Sequence, residues 1–241
     1  MKVIKYMNKL ITNEIFKEDP YKKNCISKIN NVGNNWIELD ETIFYAEGGG
    51  QLGDTGIIKT QDKEIKIENT IRENNSVKHI TNSKIDISIG STVDCIIDWE
   101  RRYKLMKMHT CLHLLCSIIN AKVTGGSVTD DKGRLDFNLD FKPNKEELKI
   151  KLNNLIQGNY EVSYSLISEK ELDENPNLVK TMSVAPPRKN GTIRMVRIGD
   201  NIDYQPCGGT HVKNTSEIGS IDIKKVENKG KLNKRVVVSF V

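Results

Sequence analysis

Long apolar runs are missing from this 241-residue chain. None approaches the roughly 18–20 residues needed to cross a bilayer. With 37% hydrophobic and 29% charged residues, the chain reads as a soluble globular protein with no membrane association. The N-terminal stretch MKVIKYMNKLITNEIFKED has no unbroken apolar core, because basic residues interrupt it, so it is not read as a secretory leader. Cysteine is sparse: five residues, at 25, 95, 111, 116 and 207, form an odd, scattered set. That pattern excludes a disulfide scaffold and fits a reducing, cytoplasmic setting. No internal repeat and no low-complexity tract is present. The net charge of +5 favours a polyanionic partner only mildly, since many proteins of this charge bind no nucleic acid.

What is present begins with short strands. Residues 1 to about 95 lack helical periodicity and alternate Ile/Val-rich runs with Asn, Gly, Asp and Lys clusters, as in TGIIKTQDKEIKIENTI, which predicts a β-rich domain. Asp98 is a plausible N-cap for the first long helix, in which Leu105, Met108, Leu112, Leu115 and Ile119 form one apolar stripe ending before Gly125 and Gly126. Asn144, with Glu147 three residues on, announces a second helix through Leu148, Leu152 and Leu155 to Gly158. Strands are expected near 161–167 and 192–198, with a Pro-Pro loop near 186. A closing hairpin should pair IGSIDIKKVE with KRVVVSFV across NKGKLN.

Two spaced pairs carry the chemistry: His109-x-x-x-His113 on the predicted first helix and Cys207-x-x-x-His211 in a glycine-rich segment. One helical turn puts both imidazoles on one face. Imidazole nitrogen and thiolate sulfur are donors that zinc prefers, so the four residues together predict a shared Zn2+ site. Each pair alone has a plainer reading, as packed histidines or a buried cysteine beside a loop histidine. The helix reads His-Thr-Cys-Leu-His, without the glutamate of a His-Glu-x-x-His peptidase. An activated ester is therefore a better candidate substrate than a peptide, because its leaving group needs less acid assistance.

FYAEGGGQLGDTG (44–56), HTCLHLL (109–115), GGSVTDDKGRLDF (125–137), QPCGGTHV (205–212) and EIGSIDIKKVENKGKLNKRV (217–236) together resemble the editing domain of alanyl-tRNA synthetase. They are more similar still to its free-standing relatives, the AlaX alanyl-tRNA editing proteins. The resemblance implies an α+β fold: a small β-barrel-like N-terminal domain over 1–95 carrying the Gly-rich motif, then a two-layer α/β editing domain over 96–241 with a mostly antiparallel sheet. It implies hydrolysis of serine or glycine from mischarged tRNA(Ala), with Zn2+ held by His109, His113, Cys207 and His211. Gly48, Gly49 and Gly50 match the motif of AlaX forms with an N-terminal β-domain and are expected near substrate, although consecutive glycines also make a plain tight turn. Gln51 is expected to supply a polar contact at the active site. Thr110 is expected to line the amino-acid pocket and recognise serine, its plainer reading being a helix threonine bonded back to a carbonyl. Leu112 departs from the synthetase domains, where that slot is often threonine.

Other residues are read more plainly. Leu135 and Phe137 are core, Arg134 and Asp136 a structural pair, Cys111 and Cys116 packing residues, and His79 solvated. Arg101, Arg102, Lys104, Lys107, Lys224, Lys225, Lys229, Lys231, Lys234 and Arg235 are candidates for tRNA phosphates, though such charges are usually just solvated. The expected mechanism brings the CCA end of tRNA into a cleft between domains, with water oriented by the metal or the terminal ribose hydroxyl. The chain is expected to act as a monomer or weak homodimer, and ATP binding is not expected. Starting at Met1 without an aminoacylation core or room for a further C-terminal domain, it reads as free-standing. A nucleic-acid-binding module with structural zinc and no turnover, or a zinc hydrolase of small esters or amides, stays open as an alternative.

Overall fold

The computed structural model describes residues 12–182, 184–188 and 191–241. The first eleven residues of the stretch read for a leader lie outside these. The chain divides into two compact units, one of residues 1–47 and 53–98, the other of 48–52 and 99–241. The Gly-rich segment is grouped with the second unit. No helix among the described residues is long and apolar enough to cross a membrane.

Among the described residues, the regular structure of the first unit is all strand apart from one short turn of helix at Ile15–Lys17. Its elements are β1 (Asn13–Glu14), β2 (Asn24–Val32), β3 (Trp36–Leu39), β4 (Glu41–Thr42), β5 (Gly56–Lys59), β6 (Glu64–Ile67), β7 (Asn69–Glu73), β8 (Ser76–Ile80) and β9 (Thr92–Ile97). Alternation sets the inner face: Cys25, Ser27 and Ile29 of β2 and Val93, Cys95 and Ile97 of β9 are buried while the residues between them face outward. Seven strands pair antiparallel in the order β6-β5-β9-β2-β3-β8-β7, and β1 pairs with β4 in a separate parallel two-stranded piece. A register shift between Ile29 and Asn31 divides β2, whose first half pairs with β9 and second with β3. The expected barrel does not close. Its two edge strands, β6 and β7, are separated in sequence by Glu68 alone, so the chain runs from one edge directly into the other with no turn to pair them. Glu68 N–H instead bonds Ile80 O at 2.8 Å, extending the β7–β8 ladder.

His79, expected in solvent, is fully buried. Its Nδ1 meets Ile37 O at 2.9 Å, its Nε2 meets Thr42 Oγ1 at 2.8 Å, and its ring stands edge-on to Phe44. Burial lowers its pKa from 6.5 to about 4, against the pull of the Ile37 carbonyl and Glu38. The unfolded chain thus binds this proton first as pH falls, so stability present above 6.5 is lost on acidification towards 4. Between pH 7 and pH 5 the loss from this group should be about 2 kcal/mol. Urea midpoints at the two pH values check it: the drop should shrink in His79→Gln, and an equal drop in both proteins would assign it elsewhere.

The second unit contains α1 (Trp99–Ile118), β10 (Val123–Val128), β11 (Lys132–Asn138), α2 (Lys145–Gln157), β12 (Val162–Ser168), α3 (Glu169–Glu174), β13 (Thr192–Ile198), β14 (Asp203–Pro206), β15 (Ile221–Gly230) and β16 (Asn233–Phe240). α1 begins directly after Asp98, but it buries far more than one stripe. Every residue from Leu105 to Cys116 except Lys107 is buried, because α1 packs against α2, β10, β11 and β14. Asn144 caps α2 by accepting from Glu147 N at 3.1 Å, and Leu148, Leu152 and Ile156, in place of Leu155, form its buried face. The expected single sheet is two antiparallel sheets, β10-β11-β16-β15 and β12-β13-β14. The free edge of β10 is taken by the loop at 180–182, through Val123 N to Lys180 O and Met182 N to Val123 O, so no strand links it to the smaller sheet. The closing hairpin forms, with strands reaching Gly230 and Asn233 into the expected loop.

Candidate metal centre

The two spaced pairs converge. α1 carries His109 and His113, and the segment after β14 carries Cys207 and His211. One donor atom from each lies within 4.8 Å of those of the other three. Cys207 Sγ is 3.5 Å from His109 Nε2 and 3.3 Å from His211 Nε2, and the rings of His109 and His113 lie 4.4 and 4.6 Å from that of His211. Arg194 of β13 shapes the Cys207 loop: its Nη1 donates to Cys207 O at 2.8 Å and Gly209 O at 3.0 Å, and its guanidinium lies over the Tyr164 ring. Gly209 makes the approach possible, since a Cβ there would stand 2.2 Å from His109 Cε1.

Each imidazole is tied at Nδ1. His109 Nδ1 lies 2.7 Å from Gln51 Oε1, and the same oxygen accepts from Thr210 N while Gln51 Nε2 donates to Thr210 Oγ1 at 2.9 Å. Thr110 Oγ1 donates to Met106 O at 2.9 Å, which leaves its oxygen to accept from His211 Nδ1 at 3.1 Å and Val212 N at 3.3 Å. His113 Nδ1 lies 2.8 Å from Asp203 Oδ2, which also accepts from Gln205 Nε2 at 2.8 Å. With all three Nδ1–H groups donating outward, all three Nε2 lone pairs are left for a metal, the arrangement that fixes histidine ligands elsewhere.

The electrostatics suit a cation. Burial penalises the Cys207 thiolate, yet His109, His211 and His113 hold its pKa well below the usual 9.0. Burial likewise opposes a charged His113, but the Cys207 thiolate and Asp203 raise its pKa from 6.5 to about 10. Burial and the neighbouring His109 lower that of His211. A metal would take over the role of these shared protons.

Gly48 and Gln51 close a tight turn by bonding each other's backbones, with Gly49 at φ +58° and Gly50 at φ +84°, and Gly50 O accepts from Val128 N at 2.7 Å. A Cβ at Gly50 would press on Gly126 O at 2.9 Å, whereas Gly49 faces open space. Thr110 and Gln51 are fully buried. Asp136 pairs with Arg134 and more tightly with Arg235, whose Nε and Nη2 lie 2.7 and 2.9 Å from its carboxylate. Cys111 and Cys116 are buried packing residues, and burial pushes the Cys111 thiol up to about 12. Two candidates for phosphates are corrected. Arg102 is fully buried, and Lys234 is 4% exposed with its Nζ bonded to three backbone carbonyls, so neither presents its charge to a phosphate. Lys224, Lys225 and Lys229 are paired with Asp222 and Glu227.

Sequence reasoning missed Asp203 and Gln205. The signal was the alternation Asp203-x-Gln205-x-Cys207, which puts three polar residues on one side of a strand.

Residues 2–101 match the family model of class II (A) tRNA synthetases, and 193–237 match that of the threonyl and alanyl tRNA synthetase second additional domain. The chain is 36% identical over 221 residues to alanyl-tRNA editing protein AlaX-M of Methanosarcina acetivorans, covering 86% of this chain and 90% of that one. It is 34% identical over 234 residues to AlaX-M of Saccharolobus solfataricus, covering 94% and 98%. An alanine–tRNA ligase of Sulfurisphaera tokodaii is 36% identical over 228 residues, 90% of this chain but 25% of the ligase. The fold and these matches define a protein built from synthetase-related modules, with Cys207 and His211 inside the accessory-domain match. The chain belongs to the AlaX-M family of alanyl-tRNA editing proteins.

Proposed function

We propose that the chain is a trans-editing deacylase that hydrolyses the aminoacyl ester of tRNA(Ala) mischarged with serine or glycine. Its relatives are alanyl-tRNA editing proteins over nearly the whole chain. The observation that carries the chemistry is the cluster of buried His109, His113 and His211 with half-buried Cys207. Zinc fits this donor set. Tetrahedral Zn2+ with its usual bond lengths places sulfur and nitrogen ligands ~3.5 Å apart, close to the two Sγ···Nε2 distances of Cys207. When bound, zinc supplies a Lewis acid beside the ester.

The chain's own residues hold and orient. Residues 96–241 form the editing domain in this reading, and 1–95 the β-rich domain that precedes it. Gln51 acts through His109 and Thr110 through His211, since both are buried with their polar groups engaged inside the protein. Of the Gly48–Gly50 turn, Gly49 is the position open to an approaching substrate. Serine is separable from alanine only by a site that bonds its hydroxyl, because a small apolar pocket rejects an added hydroxyl poorly. A closed four-ligand set also suits structural zinc in a nucleic-acid-binding module without turnover.

One assay separates the two. Metal-replete protein should deacylate Ser-tRNA(Ala) and Gly-tRNA(Ala) far faster than Ala-tRNA(Ala), and a chelator should return the first two to the spontaneous rate. Tight tRNA binding with no deacylation would favour the binding module. Equal hydrolysis of free seryl esters would remove the tRNA from the recognition.

A further inference from the structure

The three imidazoles rest on three different acceptors: an amide oxygen of Gln51, a hydroxyl of Thr110 and a carboxylate of Asp203. Only Asp203 brings charge. Its side chain is 1% exposed, and its hydrogen-bond partners are His113 and the neutral Gln205. No lysine or arginine among the described residues forms an ion pair with it. A carboxylate withdrawn from water is costly unless a positive charge lies beside it, and the titratable group it touches is His113 of the cluster. The positive charge that would compensate it is the one the adjacent cluster is built to hold.

We propose that Asp203 is a positioning residue of the metal centre. It turns the Nε2 of His113 inward and supplies the outer negative charge which, with the Cys207 thiolate, offsets a divalent ion. β14 is the device that delivers it. Alternation along the strand sends Asp203 and Gln205 to the same side, and both are buried. The next residue on that side is Cys207, so one extended segment sets an inner ligand and the outer acceptor of another ligand four residues apart. Gln205 fixes the carboxylate by donating to the same Oδ2 that receives His113, so the ring cannot rotate without breaking a shared acceptor.

This inference rests on the metal reading of the cluster, and its test uses Zn2+ itself. Stripped protein is titrated with Zn2+ against a chromophoric chelator for wild type, Asp203→Ala and Asp203→Asn, and the stripped forms are melted in parallel. Asp203→Ala should bind Zn2+ ~10–100-fold more weakly, the usual cost of losing an outer partner. Asp203→Asn should recover part of that affinity, because its amide oxygen can still accept from Nδ1 while the charge is gone. Should Asp203→Ala not fold, the near-isosteric Asp203→Asn decides alone, with weakened Zn2+ binding expected. Wild-type affinity in the variants, whatever their melting temperatures, overturns the proposal and leaves Asp203 a structural residue. No Zn2+ uptake by wild type would sink the metal reading itself, a different and recognisable result.

Discussion

Cys207→Ser is expected to abolish both metal retention and editing while leaving the fold intact. Cys207 is the single anionic donor of the cluster, and it reaches two imidazoles at 3.3 and 3.5 Å. A serine hydroxyl at that position stays protonated and offers zinc a neutral, harder donor. The loss should exceed the ~10–100-fold that an outer partner costs, since a ligand itself is removed. Metal content after gel filtration and the rate of Ser-tRNA(Ala) deacylation measure it, with far-UV circular dichroism as the control on folding. A variant that keeps its metal and its rate would mean that Cys207 is not a ligand.

The second large effect comes from a methyl group. In Gly209→Ala the new Cβ would lie 2.2 Å from His109 Cε1, 2.4 Å from its Nδ1 and 2.9 Å from Gln51 Oε1. The His109–Gln51 hydrogen bond of 2.7 Å occupies that space, so the ring must leave its acceptor or the loop must lift. Overpacking of this kind costs ~1–3 kcal/mol, and displacing the outer partner of a ligand costs ~10–100-fold in metal affinity. Its neighbour is the control. A Cβ at Gly208 meets Pro187 Cγ at an ordinary 3.4 Å, so Gly208→Ala should behave like wild type. Melting temperature and Zn2+ competition for the pair check this. Two variants of equal affinity would contradict the close approach of His109 to the loop.

Much of the centre was legible because its donors are chemically rare: three of the chain's four histidines sit in the two spaced pairs. Local signals carried as far as they could. The Asn144–Glu147 cap and the two strands of the closing hairpin are where the spacing puts them. Partners chosen by tertiary contact were not legible. Nothing local to Thr110 shows that His211, 101 residues away, uses its hydroxyl. His79 sits beside Lys78 in a polar-looking run, and its burial depends on Thr42 and Ile37 from other strands. Barrel closure failed for a similar reason. A list of short strands does not reveal that two consecutive ones lie at opposite edges of the sheet.

The most direct measurement is a Zn2+ titration of stripped protein, read as single-turnover deacylation of Ser-tRNA(Ala). Activity should be absent at the start, rise linearly and saturate at one Zn2+ per chain, and Cys207→Ser should stay flat throughout. Full deacylation by the stripped protein, unchanged by added Zn2+, would contradict a metal centre at the heart of the editing site.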